Sequence, residues 1–146
     1  MHEISFEETL EAIVTKDPRF HRDAYLFVRD ALDHTRKLVE KHVQEGRIRE
    51  AIGHHVSGQE LLEGIREYAL IQFGPMVITV FEEWGIKNCQ DFGEIVFNMV
   101  EIGLLARTDK DSREDFQNSY DFEEAFRNPF LPKGKIKRMD QKPVAI

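Results

Sequence analysis

The sequence predicts a mostly α-helical fold, and three observations carry that reading. Apolar residues recur three and four apart in one stretch after another. Several of these stretches open on a capping residue and close on glycine. Across residues 57–108 the connections are only a few residues long. A length of 146 residues suits one domain, and 41% hydrophobic content with 11 Phe is enough to pack one core.

Residues 57–108 organise the chain. Ser57 is followed three residues later by Glu60, just before an apolar run, which is the capping-box pattern. Leu61, Leu62, Ile65, Tyr68, Ala69 and Phe73 then form one apolar helix face. Gly74 ends this helix and Pro75 suits the first turn of the next. Met76, Val77, Val80, Phe81 and Trp84 make that second helix apolar over much of its circumference, so it is expected to be buried on several sides. Gly85 ends it, and Asn88 with Asp91 starts a third helix whose inward residues are Phe92, Ile95, Val96, Met99 and Val100. After Gly103, residues 104–108 read as a strand, 109–114 as a polar tip and 115–118 as a returning strand. Three short helices and a small β-hairpin wing are the order of a winged helix-turn-helix unit.

In such a unit the third helix occupies the place of a DNA-reading helix. Its outer stripe is Asp91, Glu94, Asn98 and Glu101, with three carboxylates and no cation. From Ser57 to Arg107 there are three basic residues, Arg66, Lys87 and Arg107, against eight acidic ones. Such a surface repels phosphates, which argues against sequence-specific DNA reading. The stripe is either a solvated helix face or a docking surface for a basic partner.

Ahead of this unit, Ser5 and Glu8 form another capping box, opening a short helix with Phe6, Leu10, Ile13 and Val14 on one side. The turn at residues 17–20 contains Pro18, which disfavours helix at the residue before it. A long helix follows over residues 22–45, and the two are expected to form a hairpin within residues 1–46, packed on the unit at 54–126. Residues 120–126 read as a short helix with three aromatics, closing a domain at 132. Beyond it the composition changes. Lys133, Lys135, Lys137, Arg138 and Lys142 against Asp140 give residues 133–146 a charge of +4, leaving −11 on residues 1–132 for a total of −7. This predicts a flexible basic tail, solubilising or binding.

Catalytic and metal motifs are absent from the sequence. There is no H-E-x-x-H, no paired cysteine, no glycine-rich phosphate loop and no G-x-S-x-G. His54 and His55 are adjacent, so at most one points at a given metal, and the closer role for His55 is to bond the loop entering the helix. The single cysteine, Cys89, is expected to be a small buried residue, and it suits a reducing cytoplasm. No apolar run approaches membrane-spanning length and MHEISFEETL lacks the features of a signal peptide, so a cytoplasmic protein is expected.

The strings HHVSGQELLEGIREYALIQFG, EEWG and DFGEIVFNMVEIGLL resemble a family of short bacterial proteins of unassigned function, over residues 17–126. The resemblance implies one domain and brings no catalytic site, cofactor or metal. The expected function is therefore a non-enzymatic protein-interaction module or adaptor. It would bind a protein partner through Asp91, Glu94, Asn98 and Glu101 or through the aromatic segment 116–126, with Lys133, Lys135, Lys137 and Arg138 as a second contact. The alternative is an RNA- or ribosome-associated factor binding through the same basic tail.

Overall fold

A computed structural model describes residues 6–46, 56–105, 112–117 and 119–132. Among them are five α-helices: α1 (Phe6–Lys16), α2 (Arg22–Gln44), α3 (Gly58–Phe73), α4 (Val77–Glu83) and α5 (Cys89–Glu101). Their starts follow the side-chain chemistry. His21 Nδ1 accepts from Asp23 N at 3.0 Å and opens α2. Both halves of the expected capping box open α3: Glu60 N donates to Ser57 Oγ at 3.1 Å and Ser57 N to Glu60 Oε1 at 3.0 Å. Asn88 Oδ1 accepts from Asp91 N at 3.2 Å and opens α5.

The longest pairing is an antiparallel hairpin of α2 and α3. Phe27 stacks on Phe73 at 5.8 Å, His34 on Tyr68 at 5.3 Å, and Thr35 lies against Gly64. A Cβ on Gly64 would collide with the Thr35 hydroxyl, so glycine is what lets the helices approach here. Thr35, although buried, donates from Oγ1 to Ala31 O at 2.7 Å and leaves no polar atom unmatched. Within residues 1–46, α1 also contacts α2, so the long helix carries α1 along one part of its length and meets α3 along another. The long helix takes α3 as its main partner because its apolar stripe is met there by a glycine-containing face.

α4 has only seven residues, too few to hold helical form alone in water. Phe81 fixes it. Its fully buried ring meets Phe27, Trp84, Phe92, Phe122 and Phe126 at centroid distances from 5.3 to 6.2 Å, tilted or edge-on. Elements from both ends of the described chain therefore converge on one side chain. The middle helix is less enclosed than its composition suggests. Val77 and Phe81 are buried, but Met76 is 53% exposed in the 3₁₀ turn that precedes α4. The turn between α1 and α2 packs on the turn after α4, where His21 N donates to Trp84 O at 3.1 Å. Gly85 there has φ +84° and faces the Arg19 carbonyl, a position no side chain fits.

The β-hairpin wing is contradicted: no strand occurs among the described residues. Leu104 N and Leu105 N donate to Met99 O at 2.9 and 3.3 Å, which finishes α5 instead of starting a ladder. Residues 106–111 and 118 lie outside the described residues. Asp115 and Phe116, expected in the return strand, join Arg113 and Glu114 of the expected tip in a 3₁₀ turn (Arg113–Phe116). Ser112 Oγ accepts from Glu114 N and Asp115 Oδ2 from Ser112 N, both at 3.1 Å, so the backbone is satisfied locally. Phe116 is 3% exposed and sits in a notch between helices. Ideal Cβ atoms on Gly58 and Gly93 would each lie 3.0 Å from it. After it, Glu123–Arg127 forms a π-helical turn that buries Ala125 and Phe126. No described helix is long and apolar enough to cross a membrane.

Two substitutions test this packing. Gly64→Ala should destabilise by about 1–3 kcal/mol through overpacking, although alanine favours an isolated helix by about 1 kcal/mol. Adding Thr35→Ala should recover part of the loss, read as a non-additive shift in urea midpoint. Phe81→Ala should cost about 3–5 kcal/mol and lower the thermal midpoint accordingly.

Candidate functional site

Two surfaces carry the chemistry that sequence reasoning singled out. The first is the outer face of α5. Its four stripe residues do share one side, as their spacing requires, but each is engaged by a neighbour in the fold. Asp91 Oδ2 accepts from Lys87 N at 2.7 Å. Glu94 lies 3.2 Å from Arg113 Nε and 3.9 Å from Arg19. Glu101 lies 3.7 Å from Arg113 and 4.0 Å from Lys16. Arg113 also covers the Phe97 ring at 4.9 Å, so the turn at 113–116 straps this face.

Asn98 is the inner member. Its Nδ2 donates to Asp17 Oδ2 at 2.9 Å and to Tyr25 Oη at 3.0 Å, joining α5 to α2 and to the turn before it. Asp17 is the hub of this network. It also accepts from Arg19 N, Nε and Nη2 at 3.2, 2.9 and 2.7 Å. The Arg19 guanidinium beside Asp17 holds its carboxyl far below the ordinary value of 3.8, against a smaller opposing effect of burial. Burial pushes the Tyr25 phenol up, so it stays protonated. The cleft of about 320 Å³ beside these residues is walled by Ile13 and Ile102 and by charges that already pair with one another.

The second surface lies between α4 and residues 120–123, with Lys87 and Asn88 at the start of α5 on its edge. It is an open groove of about 300 Å³. Its apolar wall comes from Ile78, Ile86 and Phe122, and its lip carries Glu82, Asp121, Glu123 and Lys87. Glu123 pairs with Arg127 at 3.2 Å. Among the described residues neither Glu82 nor Asp121 has a cation within ion-pair distance. Asp121 Oδ2 accepts from Glu124 N at 3.2 Å.

The groove is backed by rigid chemistry. Tyr120 donates from Oη to Leu62 O at 2.8 Å, and burial pushes its phenol far above the ordinary range, so it remains a donor. Behind it Cys89 Sγ–H donates to Tyr120 O at 3.4 Å. Burial pushes this thiol up to about 11, which keeps it protonated and unreactive as a nucleophile.

Of the residues singled out from the sequence, the structure unites Asp91, Glu94, Asn98 and Glu101. Lys133, Lys135, Lys137 and Arg138 lie outside the described residues, as do His54 and His55. Among the described residues no three His, Cys, Asp or Glu side chains gather as a metal site would need. Sequence reasoning missed Asp17, Arg19, Tyr25 and Arg113 as partners of the stripe, because they are distant along the chain. It also missed Ile78 with Glu82, whose four-residue spacing on a helix was a usable sign of one face. No family model, curated protein or solved structure matches the chain, and the site is defined by its own geometry alone.

The Asp17 network makes a pH prediction. A carboxyl depressed in the folded state contributes stability above its unfolded value and loses it as pH falls through its folded value. Asp17→Asn should therefore cost about 1–2 kcal/mol at neutral pH, at the low end for charged hydrogen bonds because Arg19 is half in water. Its gap to the wild type should narrow below about pH 4, measured by urea midpoints across pH.

Proposed function

We propose that this chain is a non-enzymatic interaction module of the cytosol, which receives a protein partner on the face formed by α4 and residues 120–123. The observation that supports this is the difference between the two acidic surfaces. On the α5 face Glu94 and Glu101 each have two cations from the same chain close by, so a partner would have to displace them. On the α4 face Glu82 and Asp121 flank the half-buried side chains of Ile78 and Phe122, with no such match among the described residues. A charge without a partner beside apolar wall is a better docking element than a charge already neutralised. This difference supports the reading that recognition lies nearer the aromatic segment than the acidic stripe, the two surfaces the sequence offered.

The test compares positions. A photo-crosslinking amino acid in place of Glu123 should give a discrete protein adduct in cells, and one in place of Glu101 should not. Adducts that form only from position 101 would return recognition to the stripe. Adducts abolished by nuclease, or by Lys135→Glu with Lys137→Glu, would move the function to the basic tail and to RNA.

A further inference from the structure

The groove between α4 and residues 120–123 constrains what it can hold. Ile78 and Phe122, each half-buried over a floor that includes the buried Ile86, offer apolar surface that gains from covering a branched or aromatic side chain. Glu82 and Asp121 stand on opposite sides of that surface, one on α4 and one on the returning chain. Cations on either side of an apolar residue would meet one carboxylate each. Phosphate-bearing ligands are opposed by the same two carboxylates, and Lys87 alone among the lining residues would attract them. Residues 1–132 carry −11, so the long-range field also favours a cationic approach.

We infer that the groove takes a basic peptide segment of a protein partner, one in which a branched apolar residue is flanked by Lys or Arg. This rests on the reading that the α4 face is the docking surface, and it adds the chemistry of what docks there. The apolar side chain sits against Ile78 and Phe122, and the flanking cations pair with Glu82 and Asp121. Affinity falls with salt because the lip charges are exposed.

The experiment is fluorescence anisotropy on the full chain with a labelled Lys-Ile-Lys-Arg peptide, the pattern this chain itself carries at residues 135–138. Saturable binding is expected, weakened at least fivefold by Glu82→Lys and at least fivefold when serine replaces isoleucine in the peptide. Glu82 is exposed and has no ion pair among the described residues, so its reversal leaves the fold intact, as circular dichroism would verify. Equal binding of a Glu-Ile-Glu-Glu peptide, or indifference to Glu82→Lys, overturns the inference. So does tighter peptide binding by the Lys135→Glu, Lys137→Glu chain, because the occupant would then be this chain's own tail. Adducts from position 123 to a partner segment that is not basic would sink this inference and leave the docking face standing. Loss of those adducts would sink the docking face itself.

Discussion

The fold depends on the burial of one phenylalanine. α4 is too short to persist alone, and its sequence of apolar residues would suit several arrangements. Phe81 selects one by touching rings from α2, from α5 and from the 122–126 segment at once. With α4 pinned, the half-buried Ile78 and the exposed Glu82 form one wall, and the returning chain at Tyr120 and Phe122 closes the other. The groove is therefore a by-product of core packing. Its outer wall is the irregular chain at residues 120–121, which the Tyr120–Leu62 hydrogen bond ties to α3.

Local chemistry was legible in the sequence wherever a few adjacent residues settle the outcome. The Ser57–Glu60 box, the Asn88 start and the glycine ends appear where their residue types put them. The wing was not legible, because Leu104 and Leu105 after Gly103 match a strand as well as a helix end. What decides between them is Met99 O, which takes both amide donors. Phe116 likewise reads as a strand residue until the vacancies at Gly58 and Gly93 are seen to receive its ring. Ser112 with Asp115 was the local sign of that turn. The stripe on α5 was visible as spacing, but the Arg19, Lys16 and Arg113 side chains that meet it arrive from outside that helix. Pattern reveals which side of a helix is polar and not what stands opposite.

Charge is distributed on this surface in two regimes. Around Asp17 the carboxylates and guanidiniums form a connected set that ties α1, α2, α5 and the 113–116 turn together, so electrostatics there serves architecture. On the α4 side the carboxylates are left facing solvent beside apolar surface. The same acidic composition thus supports cohesion on one face and, in the function we propose, recognition on the other.

Cys89 links the two themes. Its sulfhydryl hydrogen points at the Tyr120 carbonyl, directly beneath the chain that forms the outer wall of the groove. An alkylating reagent reaches the sulfur only in molecules where that chain has lifted away. The lone sulfur is thus a native reporter of how often the wall opens, readable as a labelling rate without adding any probe to the protein.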